Sequence, residues 1–450
     1  MDPIYIGLIV GVLALIFLFS GMPIAFALGA VSVLITIIFM GPTQLNMLAE
    51  LLYSGTDNFG LLAIPLFIFM GIIVASTRAG TDLYECFHKW LHKVPGGLGM
   101  ANIVSCAVFA ALTGSSPATA AAIGSTGIPE LRKRGYDPSL ACGIITAGGT
   151  LGILIPPSVT MIVYGIATET SIGKLFIAGI FPGLLITTLF SLWILFVYNK
   201  KMKREAAESG GMATSVAHAT NYALSDKLKA SVRILPFLLI IVLVLISLYG
   251  GWATPSEAAG VGAFLIMLVA MAIYRAYQPH QIKSILMRTL KESTMIMMIV
   301  AMSFLFSSVL TELYITQAVA QSMVKLHVSR WVIMFFINVM LLVIGCFLPP
   351  VAAILILAPI LHPVILGLGF DPIWFGVIMT VNLEVGLITP PVGLNLYVVQ
   401  GIAPDVSIDE VLKGSFPFVI ILLVSIVIIS IFPELATWLP RKMITGVVSP

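Results

Sequence analysis

The stretch TAGGTLGILIPPSVTMIVYG, Thr146 to Gly165, decides how the rest of the chain is read. Its flanks are apolar enough for a lipid interior, yet its centre holds Gly148, Gly149, Gly152 and the pair Pro156-Pro157. Proline removes a backbone donor and collides with the preceding turn, so no helix runs smoothly through this point. At membrane depth no water is on hand for the freed backbone groups. Irregular main chain survives there only inside protein or along a wet cavity. A helix broken at this place therefore marks an enclosed site.

The 450 residues around it are 59% hydrophobic and only 10% charged, too little charge to cover a soluble protein of this size. Apolar runs of about 17–25 residues recur, which excludes the short alternating strands of a membrane barrel. The class is an all-α polytopic membrane protein. A net charge of +3 points to no nucleic-acid partner. Cys86, Cys106, Cys142 and Cys346 are scattered through apolar segments without metal-ligand spacing and read as packing residues. The six histidines show no paired spacing either, so a catalytic zinc is not expected. The segment Ile4–Ser20 has no basic leader or clear cleavage site and reads as a retained span.

Spans are expected at 4–20, 24–40, 60–78, 137–170 and 175–198, then at 231–250, 254–274, 293–312, 371–404 and 415–437. Between the third and fourth span of each half lies an apolar stretch of another kind, 97–134 and 330–368, centred on LTGSSPATAAA and GCFLPPVAAI. Each has arms short for a crossing and a turn signal in the middle, and reads as a re-entrant hairpin. Residues 1–205 and 231–450 thus form two halves joined by a polar linker, 206–230. The cluster Lys200, Lys201, Lys203 and Arg204 belongs in the cytoplasm, and five spans per half then put both termini in the periplasm. All basic side chains fall inside except Lys174, Lys325, Arg330, Arg441 and Lys442. Pro42–Asn58, Gly80–Gly97, Pro279–Thr294 and Thr311–His327 mix charge with apolar positions and read as interfacial helices. Arg78, closing the third span, reads as an interfacial anchor.

An odd number of spans per half inverts the second half relative to the first. A shift of 234 residues lays Pro129, Gly135, Asp137, Pro138, Thr146, Gly152, Pro156 and Pro157 on Pro363, Gly369, Asp371, Pro372, Thr380, Gly386, Pro390 and Pro391. Inverted repeats of this length are a mark of secondary transporters. Two broken helices, each partnered by a hairpin, then define a central site. Half-helix N-termini suit a carboxylate, and half-helix C-termini and unwound carbonyls suit a small hard cation. One site combines Gly114–Thr119 with Gly148–Ser158, the other Cys346–Pro350 with Asn382–Asn395. Ser115, Ser116 and Thr119 either face that site or bond back to their own helices. Asn395 is either a contact or a cap. Glu384, an acid inside an apolar segment, is either a participant, a partner of a scaffold group or a lining of an aqueous vestibule.

The run GSSPATAAAIGSTGIPELRKRGYDPSLACGIITAGGTLGILIPPSVTMIVYG (Gly114–Gly165), with GLITPPVGLNLYVVQGIA (Gly386–Ala403), resembles the large membrane subunit of tripartite ATP-independent periplasmic (TRAP) transporters, the DctM-like type. The resemblance covers essentially the full chain. It implies an elevator-type fold in which two hairpins and two broken helices slide against a scaffold. It implies transport of an organic acid, such as a C4-dicarboxylate or a sialic acid, driven by sodium and not ATP. Its partners would be a small four-helix membrane subunit and a periplasmic substrate-binding protein, in the bacterial inner membrane. No four-helix segment precedes Ile4, so the small subunit is expected as a separate polypeptide.

By the same resemblance, two or more Na+ ions are expected. Ser115 and Ser116 with carbonyls around Gly149, Gly152 and Pro156 would shape one sodium site. Gly345 to Pro349 with Gly386 and Thr389 would shape the second. Substrate would sit between the hairpin tips, against Ser116, Pro117, Thr119, Pro350 and Asn395. The alternative is a stand-alone ion-coupled organic-acid carrier. A channel or a membrane enzyme is the reading from another class, but no catalytic cluster is found. ATP-driven transport is disfavoured because no phosphate loop ending in Lys-Ser or Lys-Thr occurs.

Overall fold

A computed structural model describes residues 2–208, 222–276, 278–325 and 328–444. Most of the expected linker and His327 lie outside these. The described residues are helical throughout, with no strand. The first half runs α1 (Pro3–Phe19), α2 (Ile24–Ile35), α3 (Leu45–Thr56), α4 (Ala63–Ala75), α5 (Ala79–Leu91), α6 (Gly97–Thr113), α7 (Ser116–Lys133), α8 (Pro138–Thr150), α9 (Val159–Ala167) and α10 (Ile172–Glu208). The second runs α11 (Leu224–Tyr249), α12 (Pro255–Tyr274), α13 (Pro279–Glu312), α14 (Ile315–Lys325), α15 (Arg330–Phe347) and α16 (Pro350–Gly367). It closes with α17 (Pro372–Leu387), α18 (Leu394–Ile402), α19 (Ile408–Ile431) and α20 (Glu434–Ile444).

Seven of these helices are long and apolar enough to cross a bilayer. The chain is a multi-pass membrane protein. At about 1.5 Å per residue, an 18-residue arm is only about 27 Å long, at the lower limit of a crossing. α15 and α16 are 18 residues each and are long and apolar enough to cross, so length alone does not make them re-entrant. What sets them apart is the turn, since only Leu348 and Pro349 separate them. Gly114 and Ser115 join α6 to α7 in the same way.

The expected breaks are present. α8 ends in a short 3-10 turn and α9 starts only at Val159, while α17 stops at Leu387 and α18 starts at Leu394. Both diproline bonds are cis. In each half an Asp-Pro step starts the broken helix. Asp137 accepts from the Ser139 and Leu140 amides, Asp371 from those of Ile373 and Trp374, and the proline follows where no donor is needed.

A second expectation, besides the short arms of 330–368, differs. Pro279–Thr294 is not a separate interfacial helix but the first half of α13, 34 residues long. No glycine or proline interrupts residues 280–312, so nothing stops the helix once Pro279 has started it. The counterpart region in the first half does bend, by 61°, between Pro42–Thr56 and Phe59–Ala75. There Asp57, Asn58 and Gly60 interrupt the helix, and the Asn58 side chain caps the next turn through the Gly60 amide at 2.8 Å.

The helices sort into an inner group and an outer layer. α8 packs on α7, α6 and α19, and α17 packs on α15 and α19. The crossing of α8 and α19 is so close that a Cβ on Gly143 or on Gly414 would overlap the other helix's backbone. Tyr164 of α9 donates to the Pro372 carbonyl at 2.7 Å, and Trp374 donates to the Ile429 carbonyl at 2.9 Å. The outer layer pairs α4 with α12 and α2 with α13. It holds a second apolar cluster of its own around Leu28, Val31, Ile35, Phe306 and Leu310.

Candidate functional site

Each hairpin tip seats on the broken helix of its own half through a glycine. A Cβ on Gly152 would stand 2.5 Å from the Ser115 carbonyl oxygen, and one on Gly386 would overlap the Gly345 carbonyl. These two glycines are equivalent under the 234-residue shift. At the first tip Gly114 has φ +60°, and its own Cβ would meet the Pro157 carbonyl at 2.7 Å. Any side chain there is strained twice over, by conformation and by space. At the second tip the Val392 amide donates to the Cys346 carbonyl at 3.1 Å, tying the break to the hairpin.

The serine and threonine alternatives separate. Thr119 bonds back: its hydroxyl donates to the Ser115 carbonyl at 2.8 Å and lies 3.1 Å from the Thr113 hydroxyl. Ser116 reaches across to the other half. The Asn395 amide nitrogen donates to Ser116 Oγ at 2.8 Å and to the Thr146 carbonyl at 3.2 Å. Ser116 Oγ lies 3.2 Å from Asn395 Oδ1. All three residues are fully buried. Gly149 makes the space, since a Cβ there would stand 2.8 Å from Ala120 Cβ and 3.0 Å from Asn395 Nδ2. Asn395 is therefore neither a simple cap nor a free contact. It bridges α7, α8 and α18.

The other predicted residues fall at the same two joints. Pro117 is half-buried in the first turn of α7, and Pro156 is buried in the first break. Pro350 is buried at the start of α16 behind an exposed Pro349, and the Gly345 backbone packs on α17. Thr389 donates to the Val385 carbonyl at 2.8 Å, and its oxygen lies 3.1 Å from Cys346 Sγ. The joints differ in exposure. Pro156 and Pro157 are buried, whereas Pro390, Pro391 and Val392 are exposed.

Glu384 is fully buried in α17, and neither carboxylate oxygen has a hydrogen-bond partner. Among the described residues it pairs with no scaffold group. Asn382, the first residue of the expected second site, and Asn338, which sequence reasoning did not single out, link α17 to α15 at 2.7 Å, and Asn382 Oδ1 has no partner among the described residues. Their only signal was polarity inside apolar segments. Arg78 is exposed at the junction of α4 and α5.

Away from the joints, His88 on the amphipathic α5 lies 3.2 Å from Arg134 Nη2 and 3.4 Å from the Tyr222 hydroxyl. Burial first, then the Arg134 charge, lowers its imidazole pKa to about 4.

Around both joints the polar atoms are mainly hydroxyl and carbonyl oxygens, with the Asn395 amide beside the first and the Cys346 thiol beside the second. Such a set fits a hard monovalent cation better than a transition metal. Among the described residues no group of three His, Cys, Asp or Glu side chains could hold a metal ion.

Broken helices closed by hairpin tips, in a body of long apolar helices, define a multi-pass helical membrane transport protein. The chain belongs to the tripartite ATP-independent periplasmic transporter family, DctM component, whose model matches residues 10–435. It is 38% identical over 407 residues to the C4-dicarboxylate TRAP transporter large permease protein DctM of Pseudomonas aeruginosa, covering 90% of this chain and 92% of that one. It is 30% identical to the sialic acid TRAP transporter large permease protein SiaM of Vibrio cholerae, over 97% and 98% of the two chains. Among solved structures, the YdaH transporter of Alcanivorax borkumensis matches with a TM-score of 0.59 at 14% identity, covering 97% of this chain and 98% of that one. That likeness concerns the fold alone.

Proposed function

We propose that this chain is the large transport subunit of a sodium-coupled importer of organic acids, of the C4-dicarboxylate or sialic acid type, fed by a periplasmic binding protein. The observation that carries the reading is the family match from residue 10 to residue 435. The oxygen donors at Ser116, Gly149, Gly152, Gly345, Gly386 and Thr389 would hold Na+, which supplies the driving force when bound. Ser115 and the carbonyls around Pro156 and Pro349 would complete the two sites. Substrate carboxylate would lie between the tips, near Pro117, Thr119 and Pro350, facing the N-terminal ends of α7 and α16.

The inner helices, α6–α9 and α15–α18, would move as a unit against the outer layer. A small four-helix membrane subunit would brace that layer. The protein would reside in the bacterial inner membrane with both termini in the periplasm.

The test is uptake into proteoliposomes carrying this chain and the small subunit, with labelled succinate or sialic acid. Uptake should require both an inward sodium gradient and the binding protein. Uptake by this chain alone would replace the reading with a stand-alone carrier.

A further inference from the structure

We propose that Asn395 is a sodium-responsive positioning residue that sets the direction of the Ser116 hydroxyl and so couples cation binding in the first half to the broken helix of the second. This rests on the reading above that Ser116 borders a sodium site. The side chain belongs to α18, yet every polar contact it makes is with the first half: Ser116 Oγ twice and the Thr146 carbonyl once. α18 packs on both α7 and α8, so the amide sits where three elements converge. Gly149, without a side chain, admits it.

The hydroxyl of Ser116 has one proton and two lone pairs. When Asn395 Nδ2 donates to it, one lone pair is consumed. A cation that takes a lone pair needs the hydroxyl proton turned away from it. Asn395 Oδ1 accepts that proton at 3.2 Å, and so already holds it to one side. The amide thus fixes the hydroxyl by donating to one lone pair and accepting its proton, which leaves the other lone pair for a cation. Sodium taking that lone pair then polarises the two bonds that tie Ser116 to α18.

The link runs one way. The 234-residue shift lays Asn395 on Met161, an apolar side chain that cannot make the reciprocal bond. Its sulfur instead stands 3.4 Å from where a Cβ on Gly179 of α10 would lie. The first site is therefore wired to the second half, and the second site has no equivalent wire to the first through this position.

The experiment measures the sodium-induced rise in thermal unfolding temperature of the purified chain, in detergent, with choline as the control cation. It compares wild type, Asn395→Ala, Ser116→Ala and the double variant. Wild type should be stabilised by sodium. Asn395→Ala should raise the half-saturating sodium concentration about tenfold, equivalent to about 1.4 kcal/mol. The double variant should match Ser116→Ala, because Asn395 acts through Ser116. Should Asn395→Ala fail to fold, Asn395→Ser, too short to span the gap, takes its place with the same expectation. An unchanged sodium midpoint, or effects that add in the double variant, would overturn the coupling while leaving sodium binding intact. No sodium response in wild type would instead overturn the sodium reading, and this inference with it.

Discussion

Gly386 lies against the Gly345 carbonyl so closely that no side chain fits between them, and Gly152 stands in the same relation to Ser115. Each glycine lets a hairpin tip seat on a broken helix. Gly152→Ala or Gly386→Ala should therefore lift the tip from its seat, at the cost of about 1–3 kcal/mol typical of overpacking. Uptake in proteoliposomes should fall about tenfold or more, while expression and membrane insertion persist. Normal uptake by both variants would separate the seating from function.

Ser116→Ala combined with Thr389→Ala removes one hydroxyl from each joint. Sodium activation should weaken in this double variant, with the half-saturating concentration rising about tenfold or more for each lost ligand. The contacts of α2 with α13 involve neither residue and should be unaffected. The sodium dependence of initial uptake rates decides it. An unchanged activation curve in the folded protein would remove these side chains from the sites.

Glu384 is buried without a partner for either oxygen among the described residues, a costly arrangement. Glu384→Gln has the same shape and should insert and fold with no loss of thermal stability. Its uptake should fall about tenfold if the carboxyl itself takes part in transport. Full uptake by Glu384→Gln would assign the residue a packing role.

His88 gives a pH dependence of known sign. Its folded pKa, about 4, lies below the ordinary 6.5, so the folded state keeps the neutral ring. The unfolded chain takes up the proton first as pH falls. Stability from this group is full above about pH 6.5 and declines towards pH 4. The groups around it are Arg134, Glu130, His92, Lys89 and Tyr222. Thermal stability should drop by on the order of 2 kcal/mol between these limits. His88→Gln should flatten that part of the profile, and an unaltered profile would show that other groups govern it.

Much of this fold was legible because proline, glycine and aspartate act locally. Asp137-Pro138 and Asp371-Pro372 start helices, Pro156-Pro157 and Pro390-Pro391 interrupt them, and Gly114-Ser115 turns the chain, whatever lies nearby. The continuity of α13 was misread because charge along Pro279–Thr294 marks polarity and not an end. The site was legible as a region but not as contacts. Ser116 and Asn395 are 279 positions apart, and nothing in either local sequence distinguishes a bond between them from a contact to ligand. Thr146 contributes its backbone carbonyl, which no side-chain pattern encodes. His88 and Arg134 likewise meet only through the packing of α5 on α7.

Thiol labelling tests the central claim, that the two joints line a shared aqueous pocket and do not face lipid. Cys86, Cys106 and Cys142 are buried and can stay, while Cys346 is replaced by serine. Val392→Cys at the exposed second joint and Ser115→Cys at the first tip then report on their surroundings in membranes. The account predicts reaction with a membrane-impermeant maleimide from the aqueous phase at Val392→Cys, slowed by sodium with substrate, and the same protection at Ser115→Cys. Reaction with lipid-soluble reagents alone, indifferent to sodium and substrate at both positions, would contradict it.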